Sequence, residues 1–178
     1  MSPVESALVV LVPEAEPLAK PFRDPYDPSA AEGVPAHITV LYPFKPPREI
    51  DAGVLEKLRR LFARFSPFNF SLAEMRRFPE VLYLAPTPDV PFKKLIRAVA
   101  DQFPETPPYG GAFAEVIPHL TIAQLADAER LDHVAVEFGR KAGSQLPIHA
   151  VAGEVALMDN ESGLWRVRTT FVLGGGKL

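Results

Sequence analysis

Apolar residues along this chain follow two rhythms, and the switch between them separates strands from helices. Continuous or alternating apolar runs predict strands at 7–12, 36–42, 68–75, 81–85, 116–123, 148–158 and 164–173. Between them the spacing changes to three and four. It predicts a short helix around 14–22 and longer ones over 51–65, 89–103 and 127–141. Leu55, Leu58, Leu61, Phe62 and Phe65 form the apolar stripe of one helix, Leu95, Ile96 and Val99 that of the next, and Leu131, Val134 and Phe138 that of the last. Asp51, Asp89 and Asp127 stand where N-caps belong, because a short carboxylate can accept the unpaired amides of a first helical turn. Twenty prolines fall mainly at segment boundaries, as in Pro46-Pro47 and Pro107-Pro108, and act as punctuation.

Strand, helix, strand, helix, strand is thus written twice, and a last strand follows the turn 159–163. Corresponding elements lie about 74 to 82 residues apart, too far for a solenoid period and suited to an internal duplication. The expectation is one domain over 1–178, with repeats at 7–75 and 80–158 and a closing strand at 164–173. At 178 residues it can bury roughly 70 % of its unfolded surface and sustain its own core.

Composition narrows the chemistry. Cysteine is absent, so disulfides, thiolate metal sites and a cysteine nucleophile are excluded. A net charge of −3 and a pI near 5.8 argue against a protein that coats duplex nucleic acid through many phosphate contacts. Met1-Ser2-Pro3-Val4-Glu5 lacks the basic and apolar regions of a signal peptide, and no apolar run approaches a membrane span. A cytoplasmic, soluble protein is expected. There is no glycine-rich phosphate loop, since Gly174-Gly175-Gly176 has no helix after it.

The candidate chemistry sits in a motif that occurs once per repeat: His37-Ile38-Thr39 and His119-Leu120-Thr121. Alternate residues of a strand share a face, so each copy aims an imidazole and a hydroxyl together while Ile38 or Leu120 turns to the core. With 4 His and 6 Thr in the chain, two such coincidences arise by accident in roughly one chain in a hundred. Side by side, the two copies would face one another across one cleft. His133 and His149 have no Thr two places on and are read as structural.

The paired motif, as His37-Ile-Thr-Val-Leu-Tyr-Pro-Phe44 and Pro118-His-Leu-Thr-Ile122, resembles that of the two-histidine (2H) phosphoesterase superfamily, in particular its 2′-5′ RNA ligases and cyclic phosphodiesterases. The first copy departs from the ligase branch by continuing into Tyr42-Pro43-Phe44 where Phe-Leu-Gly is common. The resemblance implies a bilobal α+β fold whose central cleft carries both motifs. It also implies chemistry without metal or cofactor on a 2′,3′-cyclic phosphate or a 2′-5′ phosphodiester.

Hydrolysis of a cyclic phosphate needs a water deprotonated and a ribose oxygen protonated, and imidazoles can do both near neutral pH. His37 and His119 are the acid and base in an order left open, with Thr39 and Thr121 as phosphate donors. Tyr42, Phe44 and Tyr109 are candidates to stack on a base or ribose, with plain packing an equal alternative. The Pro-Gly-rich loop 104–111 is a candidate lid, and Lys45 and Arg48 are weaker candidates to meet phosphate. The expected partner is an RNA end or a small cyclic nucleotide, and the expected state a monomer. The rival reading is a non-catalytic protein that binds an RNA end or nucleotide in the same cleft.

Overall fold

A computed structural model describes residues 3–174, so Met1, Ser2 and residues 175–178, including Gly175 and Gly176, lie outside the described residues. The fold is α+β. Its strands are β1 (Ser6–Leu11), β2 (His37–Leu41), β3 (Phe68–Phe78), β4 (Val81–Thr87), β5 (Leu120–Gln124), β6 (Ile148–Ala152), β7 (Glu154–Asp159) and β8 (Arg166–Val172). The helices are α1 (Glu16–Tyr26), α2 (Pro28–Ala31), α3 (Ala52–Ala63), α4 (Val90–Gln102) and α5 (Ala128–Ala142). All eight strands join one antiparallel sheet in the order β6-β3-β4-β5-β2-β1-β7-β8.

One junction bends this sheet. The run 148–158, expected as a single strand, breaks at Gly153 into β6 at one edge of the sheet and β7 next to the other. A single residue cannot reach across an open eight-stranded sheet, where neighbouring strands lie about 4.8 Å apart. The sheet is therefore curled, which brings its two edges together, and the Leu173 amide donates to the Gly153 carbonyl there at 2.9 Å.

The concave and convex faces follow from strand alternation. Leu8 and Val10 of β1, Ile38 and Val40 of β2, and Leu120 and Ile122 of β5 are buried in the main core with Phe62, Phe92 and Phe138 of the helices. Ala7 and Val9 face the other way and join Val34, Ala156, Met158 and Trp165 in a smaller cluster on the concave side. The period of two thus sends every second residue of the central strands toward the hollow.

The sequence repeats are not the spatial halves. β3, the last strand of the first repeat, is hydrogen-bonded to β4 and β6, while β7 of the second repeat pairs with β1 and β8. One half of the sheet is β6-β3-β4-β5 and the other β2-β1-β7-β8, so the first repeat gives β3 and the second gives β7 to the opposite half.

The helix starts divide in a similar way. Asp51 and Asp127 accept the amides of Val54 and Arg130 at 2.9 and 3.1 Å, as caps should. Asp89 does not cap. Its backbone is already helical and its carboxylate pairs with Lys93 at 3.0 Å, because Lys93 one turn on offers a stronger partner than an amide. The first helix continues to Tyr26 through Pro21 and Pro25 instead of ending near Phe22. Burial of Leu18, Ala19, Phe22 and Arg23 along one side holds it despite the missing amides. Among the described residues, no helix is long and apolar enough to cross a membrane.

Candidate active site

Both motifs lie at the centre of the concave face, on strands that are hydrogen-bonded neighbours. β2 and β5 run antiparallel with Ile38 opposite Leu120. One step along that register sets His37 beside Thr121 and Thr39 beside His119, all four on the face away from the core. The result is a square with the histidines on one diagonal and the threonines on the other. Diagonal positions of an antiparallel pair lie about 7–8 Å apart, enough to admit a phosphorus centre between two imidazoles. All four half-buried side chains line a cleft of about 860 Å³.

Each ring is oriented by its own chain. His37 Nδ1–H donates to the Pro35 carbonyl at 2.8 Å, and His119 Nδ1–H to the Ile117 carbonyl at 2.7 Å. A carbonyl can only accept, so the proton sits on Nδ1 and Nε2 is left for chemistry in both rings. Burial, reinforced by the positive charge of Arg23, pushes the His37 imidazole down to about 4 against the opposing pull of the Pro35 carbonyl and Asp27. Burial likewise lowers His119, with the Ile117 carbonyl opposing. Both rings are therefore neutral at pH 7 in the free cleft. An anionic phosphate between them favours protonation of one.

Beneath His37 lies a buried ionic network. Arg23 donates from Nε to Asp27 at 2.9 Å and from one terminal nitrogen to the Val34 carbonyl at 2.9 Å and the Ser29 hydroxyl at 3.2 Å. Glu16 lies 3.9 Å from Arg23 and accepts the Ala36 amide. The network grips the backbone on both sides of Pro35, whose carbonyl orients His37. His119 instead stands against an aromatic pair: Phe78 and Tyr83 stack at 4.4 Å, and their ring centres lie 5.2 and 5.5 Å from the imidazole.

The expected aromatic wall is present in part. Tyr42 and Tyr109 line the cleft, edge to face at 6.4 Å, and the Tyr109 amide donates to the Tyr42 carbonyl at 2.6 Å. Tyr42 hydroxyl donates to Glu5 at 2.7 Å, and burial with that carboxylate pushes the phenol up to about 12. Burial also raises Tyr109, with the Thr39 hydroxyl working the other way. Tyr109 takes a left-handed backbone (φ 51°), unusual for an aromatic residue, within a turn continued by Gly110 and Gly111.

Phe44 does not belong to the wall. It is 5 % exposed and packs edge-on against Phe103 at 5.1 Å, because the step after Pro43 turns it from the hollow into the core. Lys45 is held by Glu105 at 2.5 Å and by the Phe103 ring, and Arg48 is exposed outside the cleft. His133 and His149 are exposed elsewhere on the surface. Among the described residues no group of three or more His, Asp or Glu is arranged to hold a metal ion.

Sequence patterns missed several lining residues. Trp165 packs at 6.3 Å from Tyr42 and donates from Nε1 to Glu32 at 3.2 Å, while at Gly33, in a left-handed backbone (φ 98°), a Cβ would press on the Trp165 carbonyl at 3.2 Å. Phe78, Glu80 and Gln124 also border the hollow. The lone tryptophan just before the last strand was the one available signal, and nothing local tied it to Glu32, 133 positions earlier.

The comparisons agree with this architecture. Residues 11–164 match the 2′-5′ RNA ligase superfamily. The chain belongs to that family, a group of two-histidine phosphoesterases. A provisionally named phosphoesterase of Bacillus pumilus is 31 % identical over 173 residues, covering 93 % of this chain and 96 % of the relative. One of Bacillus licheniformis is 28 % identical over 176 residues, covering 93 % and 97 %. Among solved structures, TT0787 of Thermus thermophilus superposes with a TM-score of 0.61 at 17 % identity, covering 97 % of this chain and all of that one. LigT of E. coli complexed with 3′-AMP gives 0.61 at 15 % identity, covering 97 % and 99 %. At that identity the likeness concerns the fold.

Proposed function

We propose that this chain hydrolyses a 2′,3′-cyclic phosphate or a 2′-5′ phosphodiester by acid–base catalysis between His37 and His119, without a metal. The observation that carries this is the square on β2 and β5: two imidazoles with their Nε2 atoms unengaged, two hydroxyls on the other diagonal, and one hollow above all four. Family membership supports the phosphoesterase class, and the complex of LigT with 3′-AMP is in keeping with a nucleotide-sized ligand.

In this reading the substrate phosphate settles between the histidines and its charge draws a proton onto one Nε2. The neutral imidazole takes a proton from water as the water oxygen bonds to phosphorus. The imidazolium gives its proton to the departing ribose oxygen as the P–O bond breaks. Thr39 and Thr121 donate to the non-bridging oxygens as their charge shifts. With a ribose hydroxyl in place of water the same steps join that hydroxyl to the phosphorus of a cyclic phosphate as the ribose P–O bond breaks, so ligation and hydrolysis share the site. Two imidazoles with no third ligating side chain grouped with them among the described residues suit proton transfer better than metal binding.

The test is hydrolysis of the four nucleoside 2′,3′-cyclic phosphates in excess EDTA, with phosphorus NMR locating the product phosphate. Turnover that survives EDTA and disappears in His37→Ala and His119→Ala is the expected result. Tight nucleotide binding without turnover would favour the binding-only reading, and loss of turnover in EDTA would favour a metal enzyme.

A further inference from the structure

Within that phosphodiester reading, the charges bordering the cleft carry a statement about substrate class. Among the described residues, no lysine or arginine lines the hollow, whereas Asp27, Glu32, Glu80 and Glu115 do. Four basic side chains on the flanking elements are already committed. Arg23 is held by Asp27 at 2.9 Å, Lys93 by Asp89 and Glu115 at 3.0 and 3.4 Å, Arg76 by Glu74 at 2.7 Å, and Arg77 by Asp132. Asp27 and Glu115 are thereby balanced. Glu32 and Glu80 have no ion-pair partner among the described residues, and both are exposed.

These two carboxylates flank opposite ends of the site. Glu32 is fastened to Trp165 beside the Tyr42–Tyr109 wall, and Glu80 sits in the β3–β4 turn two residues from Phe78, which abuts His119. Each aromatic wall therefore ends in an uncompensated negative charge. A single phosphate at the centre is offset by the imidazolium it induces. A second phosphate would extend from the centre toward one carboxylate or the other with no cation to receive it, and like charges at such range repel.

We propose that the cleft selects substrates whose only negative charge is the reacting phosphate, a small cyclic phosphodiester carried on an aromatic-bearing body. It discriminates against a second phosphate, as in a 5′-phosphorylated nucleotide or an oligonucleotide end. Apolar and aromatic contact supplies the affinity that phosphate-binding cations would otherwise give.

The experiment compares kcat/KM for adenosine 2′,3′-cyclic phosphate and its 5′-phosphorylated counterpart, in the wild type and in the Glu32→Gln/Glu80→Gln double variant, across a salt series. Glutamine keeps an acceptor for Trp165 and removes only charge. Calorimetry with adenosine 2′-phosphate and adenosine 2′,5′-bisphosphate reads the same discrimination as binding, independent of turnover. The expected result is a preference of about tenfold or more for the singly charged compound, narrowing several-fold in the double variant and with rising salt. Equal use of both compounds, or a preference that the double variant leaves unchanged, would overturn charge selection. If no cyclic phosphate turns over yet the binding preference stands and responds to the double variant, the hydrolytic reading fails and charge selection survives. Turnover dependent on both histidines without the preference gives the converse.

Discussion

The two halves of the cleft carry the same motif in different surroundings. On each side a histidine donates Nδ1–H to the carbonyl two residues back and shares a strand face with a threonine. Around His37 the support is ionic and buried, with Arg23 2 % and Asp27 4 % exposed, and it clamps the strand entry. Around His119 it is aromatic, from Phe78 and Tyr83, and no counterpart of Arg23 exists among the described contacts. Symmetry of the two motifs does not require symmetry of their supports. A ring needs one carbonyl to orient it, and different packing can hold that carbonyl in place.

The first way to break the comparison is to remove each ring. His37→Ala and His119→Ala should each lower kcat by about 10²–10⁴-fold with thermal unfolding little changed. Comparable losses are expected; normal turnover in either variant would end the acid–base assignment.

Next, the supports can be separated. Arg23→Met leaves Asp27 buried without its partner and should cost about 3–5 kcal/mol in urea unfolding. Phe78→Ala, on a half-buried ring, should cost about 1–2 kcal/mol. Equal costs would erase the distinction between the two sides.

Proton linkage gives a third probe. An unfolded imidazole takes its proton near pH 6.5 but folded His37 only near 4, so stability is full above pH 6.5 and falls as pH drops toward 4. The loss is about 3 kcal/mol at most, His119 adds in the same direction, and His37→Ala should flatten the slope in melts between pH 7.5 and 4.5. Because both free-enzyme rings titrate below their ordinary value, kcat/KM should peak below pH 6.5.

Smaller effects sharpen the diagonal. Thr39→Val and Thr121→Val should each reduce kcat by about tenfold or more, the loss of one neutral donor to a developing charge. Smallest of all, Tyr42→Phe removes the bond to Glu5 and should cost about 1 kcal/mol of stability.

Much of this was legible along the chain. The helix stripes of α3, α4 and α5, two of three aspartate caps, and the placement of both His-x-Thr motifs on or at the start of strands follow from periodicity and local hydrogen bonding. What failed to read had causes outside the strand and helix periods, some of them local and some across the sheet. Phe44 looks like a wall residue because Tyr42 two places earlier is one, yet the path after Pro43 turns it onto Phe103. Asp89 looks like a cap, and a lysine one turn away claims it. The split at Gly153 depends on strands found only once the sheet is assembled.

The sequence by itself determined which residues alternate toward a core and which imidazoles and hydroxyls share a face, because side-chain direction within a strand is set by the period of two. Tertiary structure decided that β2 and β5 are neighbours in a register that puts each histidine beside the other motif's threonine. It also decided that β3 and β7 exchange halves, and that Trp165, Phe78, Glu32 and Glu80 border the same hollow. Pairing partners and the curl of a sheet come from contacts between residues far apart in the chain, and those form only when the whole sheet closes around its cleft.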